Sequence, residues 1–175
     1  MTTAVRRSAP LVLLACALAT SFFVATPRAL ADEKPVALTI VDEQGTSHVL
    51  SIEDLGKLPR KAVKVPDAAM GSIEYQGVSL PDLLSHCGVA LGKELRGPRL
   101  ASYVLIEATD GYRVVVAIAE VDPATTDKVM LLADHRDGAV LGEREAPFRL
   151  VIPDEKRPVR WIRMIKRISV QRAHG

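Results

Sequence analysis

Residues 103–120 read YVLIEATDGYRVVVAIAE, two apolar, β-branched runs divided by Asp110-Gly111. Asp-Gly between such runs signals a hairpin, because the tightest turn holds both central residues at positive φ, which these residue types tolerate. Alternation places Val104, Ile106 and Ala108 on one face of the first run, and Val114, Val116 and Ile118 on one face of the second. Tyr103, Leu105, Val115 and Ala117 are apolar as well, on the opposite faces. The hairpin is therefore expected to be covered on both sides and to lie near the centre of a sheet.

Upstream of it, residues 36–41 read as a strand, Gln44-Gly45-Thr46 as a turn and residues 47–50 as the returning strand. Ser51 with Asp54 three positions on forms a capping-box start to a short helix that stops at Gly56. Residues 61–65 alternate weakly as another strand. Residues 66–72 hold Pro, Gly and small side chains without a period and read as a loop. Ile73-Glu74-Tyr75-Gln76-Gly77-Val78 then leads to a second helix. Ser79 caps it, Asp82 sits three positions later, and Leu83-Leu84 start a buried stripe that Gly88 ends. A polar stretch, residues 92–98, enters the hairpin.

Downstream, Asp122-Pro123 reads as a helix start with proline at the first helical position. Residues 129–133 and 148–152 are strand-length apolar runs, and Asp137-Gly138 repeats the tight-turn chemistry. The tail reads as a turn around Trp161 and a final strand near residues 165–171, with its alternation broken at Lys166. Strands outnumber short helices, which points to α+β.

The first 31 residues have the organisation of a secretory signal. Arg6 and Arg7 precede an apolar stretch from about Leu11 to Val24, and Ala29-Leu30-Ala31 offers a small-x-small cleavage site. Ser21, Thr26, Pro27 and Arg28 interrupt the stretch before the ~20 residues that a membrane span needs. The paired arginines leave the route open between general and twin-arginine export. Leu13-Leu14-Ala15-Cys16 is a weaker, lipoprotein-like alternative, because apolar residues continue for eight positions past Cys16. The expected organisation is thus a leader over residues 1–31 and one domain over residues 32–175, periplasmic or secreted, with no membrane segment after leader removal.

The leader carries three arginines and no acid, so the remaining chain has 20 of the 23 Lys+Arg against all 21 Asp+Glu. Its formal charge is −1, and no basic field remains for nucleic acid. Cys87 is the one cysteine after the leader, so an internal disulfide is excluded and packing must supply the stability.

Few residues announce chemistry. The four histidines, His48, His86, His135 and His174, lack metal-site spacing, and no phosphate loop or nucleophile elbow is present. His86 and Cys87 point about 100° apart on a helix, so adjacency does not make them a dyad, and Cys87 reads as a buried thiol. Asp134-His135-Arg136-Asp137 reads as a solvated turn. Arg149 and Arg160 could hold an anion, or pair with Glu143, Glu145 or Asp154. Composition and spacing alone name no reaction.

Tyr75-Gln76-Gly77-Val78-Ser79-Leu80-Pro81-Asp82-Leu83-Leu84 resembles the "Tyr or Trp, x, Gly-Val-x-Leu, x-x, Leu-Leu" segment of the oxidoreductase molybdopterin-binding domain. That domain has the sulfite oxidase-like fold, shared with the catalytic subunit of the periplasmic methionine sulfoxide reductase. The likeness continues in order through Asp110-Gly111-Tyr112, Leu131-Leu132-Ala133-Asp134 with Asp137-Gly138, Pro147-Phe148-Arg149-Leu150-Val151-Ile152-Pro153, and Trp161 with Ile168. It implies strand-rich mixed sheets with short helices, and a cofactor cleft with candidate contacts at Tyr75, Asp110, Gly111, Tyr112, Arg113 and Arg149.

Two departures bear on chemistry. The resemblance implies a molybdenum-ligating cysteine shortly before the Gly-Val-x-Leu segment, yet Val63-Lys64-Val65-Pro66-Asp67-Ala68-Ala69-Met70 has none, and neither Asp67 nor Met70 replaces a soft thiolate well. The family also tends to a Gly-rich approach to the Pro-x-Arg-Leu strand and a Gly and Lys after it. Here Arg144-Glu145-Ala146 precede it and Asp154-Glu155-Lys156-Arg157-Pro158 follow. The expectation is an exported binding or accessory module for a small anionic ligand or a periplasmic protein partner. No metal ligand is assigned and no bound cofactor is expected, molybdopterin being the one that the resemblance admits. The alternatives are a periplasmic molybdopterin-dependent oxidoreductase with an unusual ligand set, and a thiol protein acting through Cys87.

Overall fold

The protein is described by a computed structural model covering residues 37–173. The expected leader, its cleavage site and His174 lie outside the described residues. In chain order the elements are β1 (Ala37–Val41), β2 (Ser47–Ser51), α1 (Ile52–Gly56), β3 (Arg60–Asp67), β4 (Gly71–Ser79), α2 (Leu80–His86) and β5 (Ser102–Ala108). There follow β6 (Arg113–Ala117), α3 (Ile118–Val121), β7 (Leu131–Arg136), β8 (Ala139–Val140), β9 (Arg149–Val151) and β10 (Ile165–Arg172).

They build two sheets. The first has the order β2-β1-β10-β5-β6, antiparallel except for the parallel β1–β10 pair. The second runs β3-β4-β7, with β9 along the start of β7 and β8 along its end. The main core gathers Leu38, Ile40, Val104, Ile106 and Ile168 of the first sheet with Val78, Leu132 and Leu150 of the second. Leu80, Leu83 and Leu84 of α2 close it, held by Ser79, whose hydroxyl accepts from the Asp82 N–H. A smaller cluster, Val65, Ile73, Tyr75, Leu131, Ala133, Leu141 and Val151, covers the other face of the second sheet. β7 and β9 are thus apolar on both faces, and the architecture is α+β, with a mixed first sheet and an antiparallel second one.

Gly77 explains itself in this packing. The β4–β7 register shifts between Gln76 and Gly77. A Cβ on Gly77 would collide with the Leu132 carbonyl oxygen and lie 2.7 Å from Ala133 Cα. Only glycine allows two backbones that close.

Several expectations need correction. The 103–120 hairpin forms, but Val115 and Ala117 are exposed and β6 is an edge strand, so one face is open and β10 holds the centre. Its loop is wider than an Asp-Gly turn. Gly111 has φ 87°, Asp110 is not at positive φ, and the Asp110 carboxylate instead accepts from the Tyr112 N–H. The two-residue turn occurs at Asp137-Gly138, with φ 50° and 81°, joining β7 to β8. Residues 66–72 are mostly strand. β3 runs through Asp67 and β4 starts at Gly71, so local turn chemistry spans only three residues, where the Asp67 carboxylate caps Ala69 and Met70 N–H groups.

Asp122-Pro123 ends helix α3 rather than starting one. The Asp122 carboxylate accepts from Gly92 and Ala124 N–H groups, tying two loops together. The strand expected over 129–133 begins two residues later and continues through Asp134 to Arg136, so Asp134 is no solvated turn residue. It is 9% exposed and takes both guanidinium nitrogens of Arg60, at 2.5 and 2.6 Å. The capping box at Ser51–Asp54, the turn around Trp161 and the bulged final strand are present as read.

Candidate functional site

On the smaller-cluster face of the second sheet, side chains from four segments converge. β4 brings Tyr75, the end of β7 brings Arg136, β9 starts with Arg149, and the turn at Pro158–Arg160 delivers Trp161. The Trp161 indole donates to the Ile152 carbonyl at 3.0 Å, which fixes its ring. Tyr75 and Trp161 meet edge to face, with centroids 6.4 Å apart and planes at 89°. The Arg149 guanidinium carbon lies 5.3 Å from the Tyr75 centroid and 5.6 Å from that of Trp161, and Arg136 lies 6.0 Å from Tyr75. Guanidinium over an aromatic face is a favourable placement for a partly desolvated cation.

Two adjoining depressions share Arg149 and Trp161. One, about 510 Å³, is also lined by Asp67, Tyr75, Arg136, Glu155 and Lys156. The other, about 420 Å³, adds Asp110, Tyr112 and Arg163. Of the residues singled out in the sequence, Tyr75 and Arg149 are in contact, Arg149 Nη1 donating to the Tyr75 hydroxyl at 3.1 Å. Asp110 and Tyr112 share the second depression with Arg149, and the Tyr112 hydroxyl donates to the Val159 carbonyl at 3.0 Å. Gly111 lies in the hairpin loop without lining either depression. Arg113 lies on edge strand β6, ion-paired with Glu107 at 2.9 Å, and also lines neither.

The charges are partly answered within the protein. Glu145 lies against Arg149 in an ion pair and reaches Arg136 at 3.7 Å, as the pairing read from the sequence allows for Arg149. Arg160 pairs with Glu155 and Glu120 instead of the acids proposed for it. Burial pushes the Tyr75 hydroxyl above its ordinary value, with Arg149 acting against it, so the phenol remains neutral. Asp67 is held below the usual carboxylate range by the Met70 and Ala69 N–H groups. Glu155 takes Arg160 Nε at 2.5 Å. No serine, cysteine or histidine lines the larger depression. The arrangement can hold and polarise an anion.

Trp161, Arg136 and Glu145 complete the site, and none was singled out for it in the sequence. In the sequence Arg136 reads as part of a solvated turn, because β7 extends further than its apolar run. A thiolate-held metal does not fit the described residues. Cys87 is 2% exposed in the main core, where burial pushes its thiol up, and it lines neither depression. Among the described residues no three His, Cys, Asp or Glu side chains are grouped to hold a metal ion. No helix among them is long and apolar enough to cross a membrane.

A family model described as the oxidoreductase molybdopterin binding domain matches residues 50–174. Among solved structures, the sulfane dehydrogenase SoxCD from Paracoccus pantotrophus is similar, at a TM-score of 0.58 and 20% identity. The alignment covers 77% of this chain and 38% of that one, so this chain spans well under half of its length. At this identity the likeness shows the fold alone. No curated protein matches the chain.

Proposed function

The chain belongs to the oxidoreductase molybdopterin-binding domain family, and on that premise we propose that it is an exported binding or accessory module of that family. Its cleft takes a small oxyanion and holds no thiolate-ligated molybdenum centre. The observation that carries this reading is the cation set at the larger depression, Arg136, Arg149 and Lys156, in a cleft with no thiol. Val65, Pro66 and Asp67 are the part of the cysteine-free segment that lines it. Charge-assisted hydrogen bonds from guanidinium to oxyanion are roughly twice as strong as neutral ones, and the aromatic floor limits water access. Tyr75 stays protonated and holds Arg149 from below, so the arginine binds as an oriented donor.

A thermal-shift titration with sodium sulfate tests it. Millimolar sulfate is expected to raise the melting temperature of the wild type by about 2–4 °C and that of Arg149→Gln by much less. Equal shifts in both proteins would remove Arg149 from the site. The family membership favours a second reading, a molybdopterin-dependent oxidoreductase with an unusual ligand set, in which the same cations face the anionic part of the cofactor.

A further inference from the structure

Strand β6 forms an open edge of the first sheet, pairing only with β5. The Ala108 N–H donates to the Tyr112 carbonyl at 2.9 Å, which fixes the parity of that ladder. Hydrogen-bonded partners in an antiparallel pair recur at every second residue, so the ladder bonds of β6 come from Val114, opposite Ile106, and Val116, opposite Val104. The N–H and C=O groups of Arg113 and Val115, and the Ala117 N–H, point the other way, off the sheet. Among the described residues no group answers them. Arg113, Val115 and Ala117 are exposed, Val115 at 51%, so this row is open to solvent.

The other strand edges carry devices that keep edges unpaired. β3 presents Lys61, Lys64 and Pro66, and β8 and β9 are only two and three residues long. β2 ends in Ser51, whose N–H is taken by the Asp54 carboxylate at 3.2 Å. β6 has no lysine or proline, and its one charge, Arg113, is drawn back onto Glu107 of β5 at 2.9 Å. We infer that β6 is a homodimer contact, through which two copies of this chain join their first sheets edge to edge about a two-fold axis. The row is self-complementary. Run antiparallel with Val115 opposite Val115, it exchanges both bonds of that pair, and each Ala117 N–H meets the Arg113 C=O across the joint. Leu105 lies beside Val115 on the open face, so one apolar row, Leu105-Val115-Val115-Leu105, crosses the joint. Arg113 faces Ala117 of the other copy, so no like charges oppose. The contact is small, which makes the dimer a weak one. The inference is independent of the Arg149 cleft.

In sedimentation equilibrium the full chain is expected to dimerise with a dissociation constant of about 10–100 µM. Val115→Lys sets two like charges opposite each other on the solvent face and is expected to weaken the dimer at least about tenfold. Val115→Pro removes an N–H that points away from β5, so the β5–β6 ladder keeps its bonds, and it is expected to weaken the dimer as much. Hydrogen exchange is the second readout. Raising the wild-type concentration is expected to protect the Val115 and Ala117 amides, whereas Val114 and Val116 are protected throughout. The inference is overturned by a wild type that stays monomeric at about 1 mM, by a dimer that Val115→Lys leaves undiminished, or by Val115 and Ala117 amides that exchange independently of concentration. The exchange readout uses wild type alone, so it stands even if a variant folds poorly.

Discussion

The Glu145 carboxylate is ion-paired with the Arg149 guanidinium, and both side chains are largely withdrawn from solvent, at 13% and 16% exposure. An acid on the chain thus stands where an external anion would meet the arginine. Any oxyanion entering the cleft competes with a partner whose effective concentration is set by four residues of chain. Glu145→Gln keeps the shape and removes the competing charge. It is expected to tighten sulfate binding about tenfold by calorimetry. Unchanged or weaker binding would mean that Glu145 orients Arg149 for the ligand.

Gly77→Ala forces a Cβ into the backbone of Leu132 and Ala133. Backbone cannot yield as a side-chain tip does, so β4 and β7 must separate across the centre of the second sheet. A loss of roughly 3 kcal/mol or more is expected in urea denaturation, or failure to fold. A loss below about 1 kcal/mol would show that the register shift relaxes.

Asp134 makes stability depend on pH. Burial raises its carboxyl, but hydrogen bonds and charge from Arg60 and His135 outweigh that, leaving it below the ordinary value. A depressed folded value gives stability that is present above the unfolded value near about 3.9 and is lost as pH falls through the folded one. Wild type should therefore lose stability progressively below about pH 4, and more steeply than Asp134→Asn. Parallel acid limbs in urea melts at a series of pH values would contradict this.

Cys87 packs in the main core at the end of α2. A thiol reagent is expected to label it in the native state only at the rate of unfolding. Cys87→Ser should cost about 1–2 kcal/mol, from desolvating a hydroxyl, and leave sulfate binding intact. Rapid native labelling would restore the thiol-protein alternative.

Much of the fold was legible because local rules and packing agreed. Ser51 with Asp54, Ser79 with Asp82, and Asp137-Gly138 are decided within four residues of chain, and each forms as read. The errors arose where tertiary pairing overrode local pattern. Pro66 remains in a strand because β4 pairs alongside it, and Asp134 is buried because Arg60 meets it from 74 residues away. The openness of the hairpin's outer face depends on what packs there, which periodicity does not report. At the site, Tyr75 and Arg149 were legible through a family motif. Arg136 was not, because a charged residue at a strand's end looks like a turn until the neighbouring strand is placed.

On the proposed function, the cleft of this family member works without thiolate-bound molybdenum. Val63 to Met70 carries no cysteine, and Nη1 of Arg149 is engaged by Glu145. The most direct test is molybdenum and pterin analysis of the full-length protein purified from a host able to make molybdopterin. Molybdenum far below one atom per chain is expected. Stoichiometric molybdenum with pterin, lost on Arg149→Ala, would contradict the account and make the protein an oxidoreductase with an unusual ligand set.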